Sequence, residues 1–115
     1  MTVYKNVSSS FKQKDILVID VGSGTQDVLV YQADKNIENC PKLVMPSNTQ
    51  LIAKQIRQAT RQGQNIYLYG HVMGGGACFF AVKQHLEAGH KVYATEEAAY
   101  TFNDKLEKVR EMGVE

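Results

Sequence analysis

One carboxylate and two glycine-rich turns are the parts of this sequence with the clearest chemical potential. Asp20 ends an apolar, β-branched run and stands directly before a turn at residues 22–25, with the sequence Gly-Ser-Gly-Thr. A second glycine-rich turn occupies residues 70–76 and precedes a helical pattern. Glycines let the backbone approach a ligand closely and point its N–H groups at an anion, and a helix N-terminus adds a favourable dipole. The two turns therefore predict phosphate binding through Gly22, Ser23, Gly24, Thr25, Gly74, Gly75 and Gly76.

The position of Asp20 predicts a metal ion beside the phosphate. A carboxylate next to a phosphate site repels the anion unless a divalent cation lies between them, and Mg²⁺ with several bound waters is the usual one. We therefore expect Asp20 to be a metal ligand. Two alternatives stay open: Asp20 caps the turn, and the hydroxyls of Ser23 and Thr25 satisfy the hairpin instead of binding phosphate.

Length, composition and charge limit the class of protein. The chain has 115 residues, enough for about one compact domain. Hydrophobic residues make up 43% and charged residues 22%, which is typical of a globular protein with a real core. A net charge of +1 argues against a protein that coats nucleic acid or an anionic membrane. There is no apolar run of membrane-spanning length and no signal-peptide pattern, so a cytoplasmic location is the expectation.

Several familiar motifs are excluded by the residues present. Cys40 and Cys78 are isolated, with neither zinc spacing nor the cysteine trio of a radical-generating iron–sulfur centre, and we expect both to be reduced thiols. A P-loop needs Gly-Lys followed by Ser or Thr, which is absent. A dinucleotide fingerprint needs a third glycine where Asp27 stands, and a helix where the pattern here predicts a strand.

Hydrophobic periodicity divides the chain into alternating strands and helices. Residues 1–14 are polar and predict a loose leader. The expected elements are strands at 16–21, 27–31 and 42–45, a helix at 48–62 opened by Ser47, a strand at 66–69, a helix with Cys78, Phe79, Val82 and Leu86 on its buried face, a strand at 92–94, and a helical region from Thr95 to Gly113, in which Thr101 and Asp104 offer a second helix start.

The order βββαβαβα predicts an α/β fold of ribonuclease H-like layout. A three-strand meander followed by right-handed crossovers gives a mixed five-stranded sheet of order 3-2-1-4-5. Strand 4 then lies beside and parallel to strand 1, which brings both glycine-rich turns to one crevice at the carboxyl ends of the strands. We expect one half-domain of this kind over residues 15–115.

Two resemblances point the same way. The stretch at 19–27, IDVGSGTQD, resembles the first phosphate motif of the actin-like ATPase and sugar kinase superfamily, whose half-domains are ribonuclease H-like. Over nearly all of residues 15–114 the chain also resembles an uncharacterised prokaryotic family labelled "putative pyruvate formate-lyase activating enzyme". The stretches that carry this second resemblance are DVGSGTQDVLVY at 20–31, ENCPKLVMPS at 38–47, GHVMGGG at 70–76 and VYATEEAAYTFND at 92–104.

The actin-like resemblance implies a nucleotide site with a part outside this sequence. It implies that Asp20 helps to hold Mg²⁺ bound to ATP or ADP, and that the backbone of residues 22–25 grips the terminal phosphates. Such ATPases bind nucleotide between two half-domains, yet a second turn of this kind does not occur in the sequence. We therefore expect an N-terminal portion of a longer protein, with a C-terminal half-domain as partner and without ATP turnover on its own.

Two alternatives accompany this interpretation. The chain can be a non-enzymatic binding or assembly module, including a homodimer formed through the face that a second half would cover. A metal-dependent nuclease would also use Asp20, but the fourth strand ends in Gly70 and His71 rather than a carboxylate, and the charge gives no basic surface. Nucleic acid and membranes are therefore not expected partners. His71 itself either contacts phosphate, acts as a base or has a structural role.

Overall fold

The computed structural model of the protein describes residues 2–5, 15–71 and 73–115. These residues form two compact units, Met1–Ser47 and Asn48–Glu115. The expectation of one half-domain over residues 15–115 stays a prediction. Among the described residues, none of the helices has the length and apolar character needed to cross a membrane.

The N-terminal unit is a four-stranded antiparallel sheet. Its strands are β1 (Thr2–Lys5), β2 (Ile16–Val21), β3 (Thr25–Tyr31) and β4 (Lys42–Pro46), and their order in the sheet is β1-β2-β3-β4. A short 3₁₀ turn at Ile37–Asn39 lies between β3 and β4. The β-branched run of β2 and the glycine-rich turn after it produce the predicted hairpin.

Strand β1 lies where the sequence predicted only a loose leader. Thr2–Lys5 pairs with β2 in antiparallel register, from Thr2 opposite Ile19 to Lys5 opposite Ile16. Four residues carry too little periodicity to be identified alone, and this strand is defined by a partner more than ten residues away. The remainder of the expected leader, residues 6–14, lies outside the described residues.

The C-terminal unit contains the helices and a small parallel sheet. In chain order it comprises α1 (Asn48–Arg61), β5 (Ile66–Leu68), α2 (Gly76–Glu87), β6 (Val92–Ala94), α3 (Glu96–Tyr100) and α4 (Leu106–Glu111). Strands β5 and β6 pair in parallel, and Val114 adds an isolated parallel bridge to Val92. The core of this unit consists of Ala53, Ile56, Leu68, Cys78, Ala81, Val82, Val92, Ala98, Ala99, Val109 and Val114.

Helix ends in this unit follow local sequence signals. Gly63 (φ +66°) and Gly89 (φ +86°) adopt the left-handed conformation just after α1 and α2, which is the usual role of glycine at a helix C-terminus. Thr95 caps α3 by accepting a hydrogen bond from the Ala98 N–H at 3.2 Å. The last helical region is interrupted between Tyr100 and Leu106, so its second helix, α4, begins later than Thr101.

The single five-stranded sheet of order 3-2-1-4-5 is not confirmed. The predicted first, second and third strands are β2, β3 and β4, and they pair in the expected meander. The free edge of β2, however, pairs with β1, whereas β5 pairs with β6 in a separate sheet. The structure is therefore mixed α/β, with one antiparallel and one parallel sheet. The adjacency of the predicted strands 1 and 4 was inferred from connection length. Connection length does not determine which strand pairs with the free edge of β2, and in the structure β1 does so.

Candidate functional site

The turn between β2 and β3 holds the first group of predicted ligand-binding residues. The Gly22 N–H donates to the Thr25 carbonyl oxygen at 2.9 Å and closes the hairpin. A Cβ atom on Gly22 would lie 2.9 Å from that same oxygen, so the turn requires glycine at this position. Asp20, Ser23, Gly24 and Thr25 are all exposed. The turn is thus tight, and its functional groups face solvent.

Ser47 fixes the conformation of this turn from the end of β4. Its hydroxyl donates to the Ser23 carbonyl oxygen at 2.9 Å, and its backbone N–H donates to the Gly24 carbonyl oxygen at 3.1 Å. Ser47 is fully buried. Two carbonyl oxygens that would repel an anion are therefore held by Ser47. Ser47 directly precedes α1, as the sequence predicted, and the pairing of Thr25 with Pro46 also places it beside the turn.

A second carboxylate faces Asp20. The register of β2 and β3 sets Asp20 directly opposite Asp27, and the two side chains lie on the same face of the sheet. The Thr25 hydroxyl donates to Asp27 Oδ2 at 3.1 Å. Like charges directly opposite each other destabilise a ladder, so this pair favours a bound cation. Asp27 was not among the site residues predicted from the sequence. Its spacing from Asp20 across a tight hairpin could have indicated that the two carboxylates face each other.

The two carboxylates border a shallow cavity of about 160 Å³. The cavity is lined by Val18, Asp20, Asp27, Val28, Leu29, Lys42, Leu43 and Val44. Lys42 brings a positive charge to the same face as the carboxylates. Within the described part of the chain, His, Cys, Asp and Glu nowhere gather in a group of three or more that could hold a metal ion. A cation at Asp20 would consequently depend on water or phosphate oxygens for most of its coordination, as Mg²⁺ does.

The glycine-rich turn after β5 divides into a packing part and an exposed part. Gly74 is buried, and a Cβ there would lie 2.6 Å from Thr101 Oγ1 and 2.8 Å from the Phe102 ring. Gly75 and Gly76 are exposed at the start of α2, where Gly75 is the N-cap residue. Gly74 is therefore placed for packing, whereas the backbone of Gly75 and Gly76 is accessible to an anion.

Thr49 on α1 supplies the cap that glycine cannot. Its hydroxyl donates to the Gly75 carbonyl oxygen at 2.6 Å and accepts from the Cys78 N–H at 2.9 Å. Thr49 is 2% exposed. One of the first donors of α2 is thus satisfied by a neighbouring helix, which fixes the turn. The sequence analysis gave no signal for this role, because Thr49 and Cys78 are distant along the chain.

The side chains of His71 and Glu97 meet beyond the carboxyl ends of β5 and β6. His71 Nε2 lies 2.9 Å from Glu97 Oε1, and both side chains are exposed, by 86% and 52%. Glu97 is in the first turn of α3, where an acidic side chain also interacts favourably with the helix dipole. A pair this exposed contributes little to stability. The contact with Glu97 gives His71 a structural role, and the exposure of its ring leaves it accessible to a ligand.

The predicted site residues therefore fall into two groups. Asp20 and residues 22–25 belong to the N-terminal unit, and Gly74, Gly75 and Gly76 belong to the C-terminal unit. The shared crevice was predicted from the pairing of strands 1 and 4, which are β2 and β5 of the structure. The strand pairs that the structure describes do not include β2 with β5. One pocket that uses both turns accordingly remains a prediction.

Both cysteines are buried free thiols. Burial raises the pKa of Cys78 to about 11, so this thiol is protonated and unreactive near neutral pH. Cys40 accepts a hydrogen bond from the Gln32 N–H at 3.4 Å. That both thiols are reduced stays a prediction.

These observations describe a mixed α/β protein with a carboxylate-flanked glycine hairpin and a capped glycine-rich turn. Residues 73–115 match the model of a family described as "Putative pyruvate format-lyase activating enzyme (DUF1786)". This match includes the exposed Gly75 and Gly76 and supports the family label to which the sequence pointed. Comparisons with curated proteins and with solved structures gave no match.

Proposed function

We propose that the hairpin turn of the N-terminal unit binds the phosphates of a Mg²⁺-bound nucleotide, ATP or ADP. The chain would then be the nucleotide-binding half of an actin-like ATPase or kinase-type domain with a ribonuclease H-like fold. The observation that carries this proposal is the exposed pair of Asp20 and Asp27, opposite each other beside a glycine turn. Repulsion between the two carboxylates is relieved by a divalent cation, and the cation in turn attracts phosphate.

The residues of the turn have distinct roles in this proposal. Asp20 approaches the hydrated Mg²⁺, and Asp27 adds negative charge and accepts from the Thr25 hydroxyl. Because Ser47 holds the carbonyl oxygens of Ser23 and Gly24, the turn presents less repulsion to phosphate oxygens. Gly75 and Gly76 offer a second anion-binding segment at the α2 N-terminus.

Titration of the full chain with Mg-ATP, Mg-ADP and inorganic phosphate tests this function. We expect Mg²⁺-dependent nucleotide binding that Asp20→Asn weakens at least about tenfold, equivalent to about 1.4 kcal/mol. Asp104→Asn is the matched control, because Asp104 is also exposed but lies in the C-terminal unit. Isothermal titration calorimetry measures the affinities directly.

Two outcomes would contradict the proposal. The first is equal nucleotide affinity in the unmodified chain and in Asp20→Asn. The second is binding that does not depend on Mg²⁺. We also expect the chain alone to lack appreciable ATP hydrolysis, and a phosphate-release assay on the same preparation checks this. Mg²⁺-dependent cleavage of nucleic acid would instead support the nuclease alternative.

An assembly role is the second candidate, and strand β4 favours it. β4 lies at an edge of its sheet and is exposed along its length, including Leu43 at 56% and Val44 at 63%. An exposed apolar edge strand can pair with another chain. Such pairing would use the sheet as a scaffold without catalysis.

We expect Val44→Lys to lower the fraction of oligomer in the assembly case. A lysine on an edge strand opposes strand addition by charge and solvation. Leu51→Lys is the control, since Leu51 is 46% exposed on α1. Light scattering over a range of protein concentrations measures the effect. A monomer at every concentration, or an equal response to both substitutions, would exclude self-assembly through β4.

A further inference from the structure

A fully buried histidine lies where the C-terminal halves of α1 and α2 pack together. His85 on α2 is 0% exposed. Its Nδ1 lies 2.7 Å from Thr60 Oγ1 on α1. His90, in the loop between α2 and β6, faces it with 5.1 Å between the ring centroids. The imidazole of His85 is thus a polar link within an otherwise apolar contact.

The hydrogen bonds assign the protonation state of this ring. The Thr60 hydroxyl donates to the Ile56 carbonyl oxygen at 2.8 Å, so its single proton is already used. We therefore assign Thr60 Oγ1 as the acceptor from His85 Nδ1–H, which makes Nδ1 the protonated nitrogen of a neutral ring. His85 Nε2 is buried and makes no hydrogen bond with any described residue. A second proton at Nε2 would therefore create a buried positive charge.

The groups around His85 favour its neutral form. Burial lowers the pKa of His85, and the neighbouring His90 lowers it further, while the Lys91 backbone, which would accept from the charged ring, acts in the opposite direction. The α1 group in contact with the ring is the neutral Thr60 hydroxyl. The Lys91 ammonium lies 3.2 Å from Glu115 Oε1, so that carboxylate is already paired with Lys91.

We propose that His85 is a proton-sensitive latch of the C-terminal unit. The neutral ring joins α1 to α2 through Thr60, and protonation at mildly acidic pH places a buried positive charge at Nε2, which opposes this packing and loosens the end of the unit that leads into β6. His90 strengthens the response, because a charge on its ring opposes a charge on His85. The latch makes the stability of the unit depend on pH through one buried side chain.

The sign of the effect follows from proton binding. The unfolded chain binds a proton on His85 near pH 6.5, whereas the folded chain binds it only at lower pH. The stabilisation is complete above about pH 6.5 and is lost as the pH falls through the lowered folded-state pKa. Between these two values, the unfolding equilibrium constant rises by up to about tenfold per pH unit.

Two experiments on the full chain test the latch between about pH 7.5 and 5, the range in which histidine titrates. NMR follows the protonation of the histidine rings, and denaturant unfolding gives the unfolding equilibrium constant at each pH. In the folded chain we expect His85 to stay neutral at pH values where unfolded histidine is charged. His85→Gln should remove most of the pH dependence of the unfolding equilibrium constant. His90→Gln should make that dependence shallower while keeping the Thr60 contact.

Either of two results would overturn the proposal. One is protonation of the His85 ring in the folded chain at the pH of an unfolded histidine or above it. The other is an unchanged pH dependence in His85→Gln. If His85→Gln does not fold, the ring titration of the unmodified chain and of His90→Gln decides the question alone.

Discussion

Replacement of Gly74 by alanine is expected to lower the free energy of unfolding of the C-terminal unit by about 1–3 kcal/mol. The new Cβ would lie 2.6 Å from Thr101 Oγ1 and 2.8 Å from two carbons of the Phe102 ring. Both neighbours are themselves packed in the interrupted region between α3 and α4, so relief requires a backbone or rotamer change. Helical circular dichroism during urea unfolding measures the effect, since the four α-helices of the described residues all belong to this unit.

Gly75→Ala is the matched control for this substitution. A Cβ at Gly75 has nothing within 4 Å, and the backbone angles there suit any residue. We expect a loss of less than about 1 kcal/mol, because alanine is a somewhat poorer N-cap than glycine. Equal losses at both positions would show that Gly74 has no special packing role, and would return it to the group of accessible glycines beside Gly75 and Gly76.

Thr49→Val is expected to lower the free energy of unfolding by about 2–4 kcal/mol. Valine preserves the shape of the side chain but removes the hydroxyl. The Cys78 N–H would then lose its acceptor and the Gly75 carbonyl oxygen its donor, in a position that is 2% exposed. Because buried polar groups without partners are expensive, this effect exceeds that of one ordinary hydrogen bond. The same urea unfolding experiment measures it.

Thr49→Ser keeps the hydroxyl and removes one methyl group. We expect it to retain the cap and to destabilise the unit by about 1 kcal/mol. A serine variant as unstable as the valine variant would mean that Thr49 contributes through packing alone. The hydroxyl would then have no part in fixing the start of α2.

Both substitutions alter the turn that the nucleotide-binding proposal uses in the C-terminal unit. Gly74 sets the path of the turn by packing, and Thr49 fixes its last residues through Gly75. A turn whose backbone is already ordered binds an anion without losing further conformational entropy. If the exposed glycines contact phosphate, Thr49→Val should weaken nucleotide binding as well as stability, whereas a purely structural turn would lose stability alone.

Local patterns in the sequence predicted elements well where the signal lies within the element. The β-branched run at Ile16–Val21 forms β2, and glycines after α1 and α2 end those helices. Thr95, where the predicted helical region begins, caps α3. These signals depend on side-chain shape, backbone conformation and hydrogen bonds within a few residues, which a sequence displays directly.

Pairings between distant segments were not accessible in the same way. The sequence did not show that Thr2–Lys5 would pair with the edge of β2, and the five-stranded order, in which strand 4 lies there, is not confirmed. Nor did the sequence show that Ser47, which directly precedes α1, also holds the hairpin turn through its hydroxyl. Both pairings join segments that are distant along the chain, and local patterns do not reveal them.

For the candidate site, the sequence by itself determined the chemistry: Asp20, a glycine hairpin, a second glycine-rich turn and two thiols outside any metal motif. The tertiary structure decided which of these groups are accessible. It set Asp27 opposite Asp20, buried Gly74 against Thr101 and left Gly75 and Gly76 exposed. The physical reason is that residue type fixes what a group can bind, whereas strand register and packing fix what it faces.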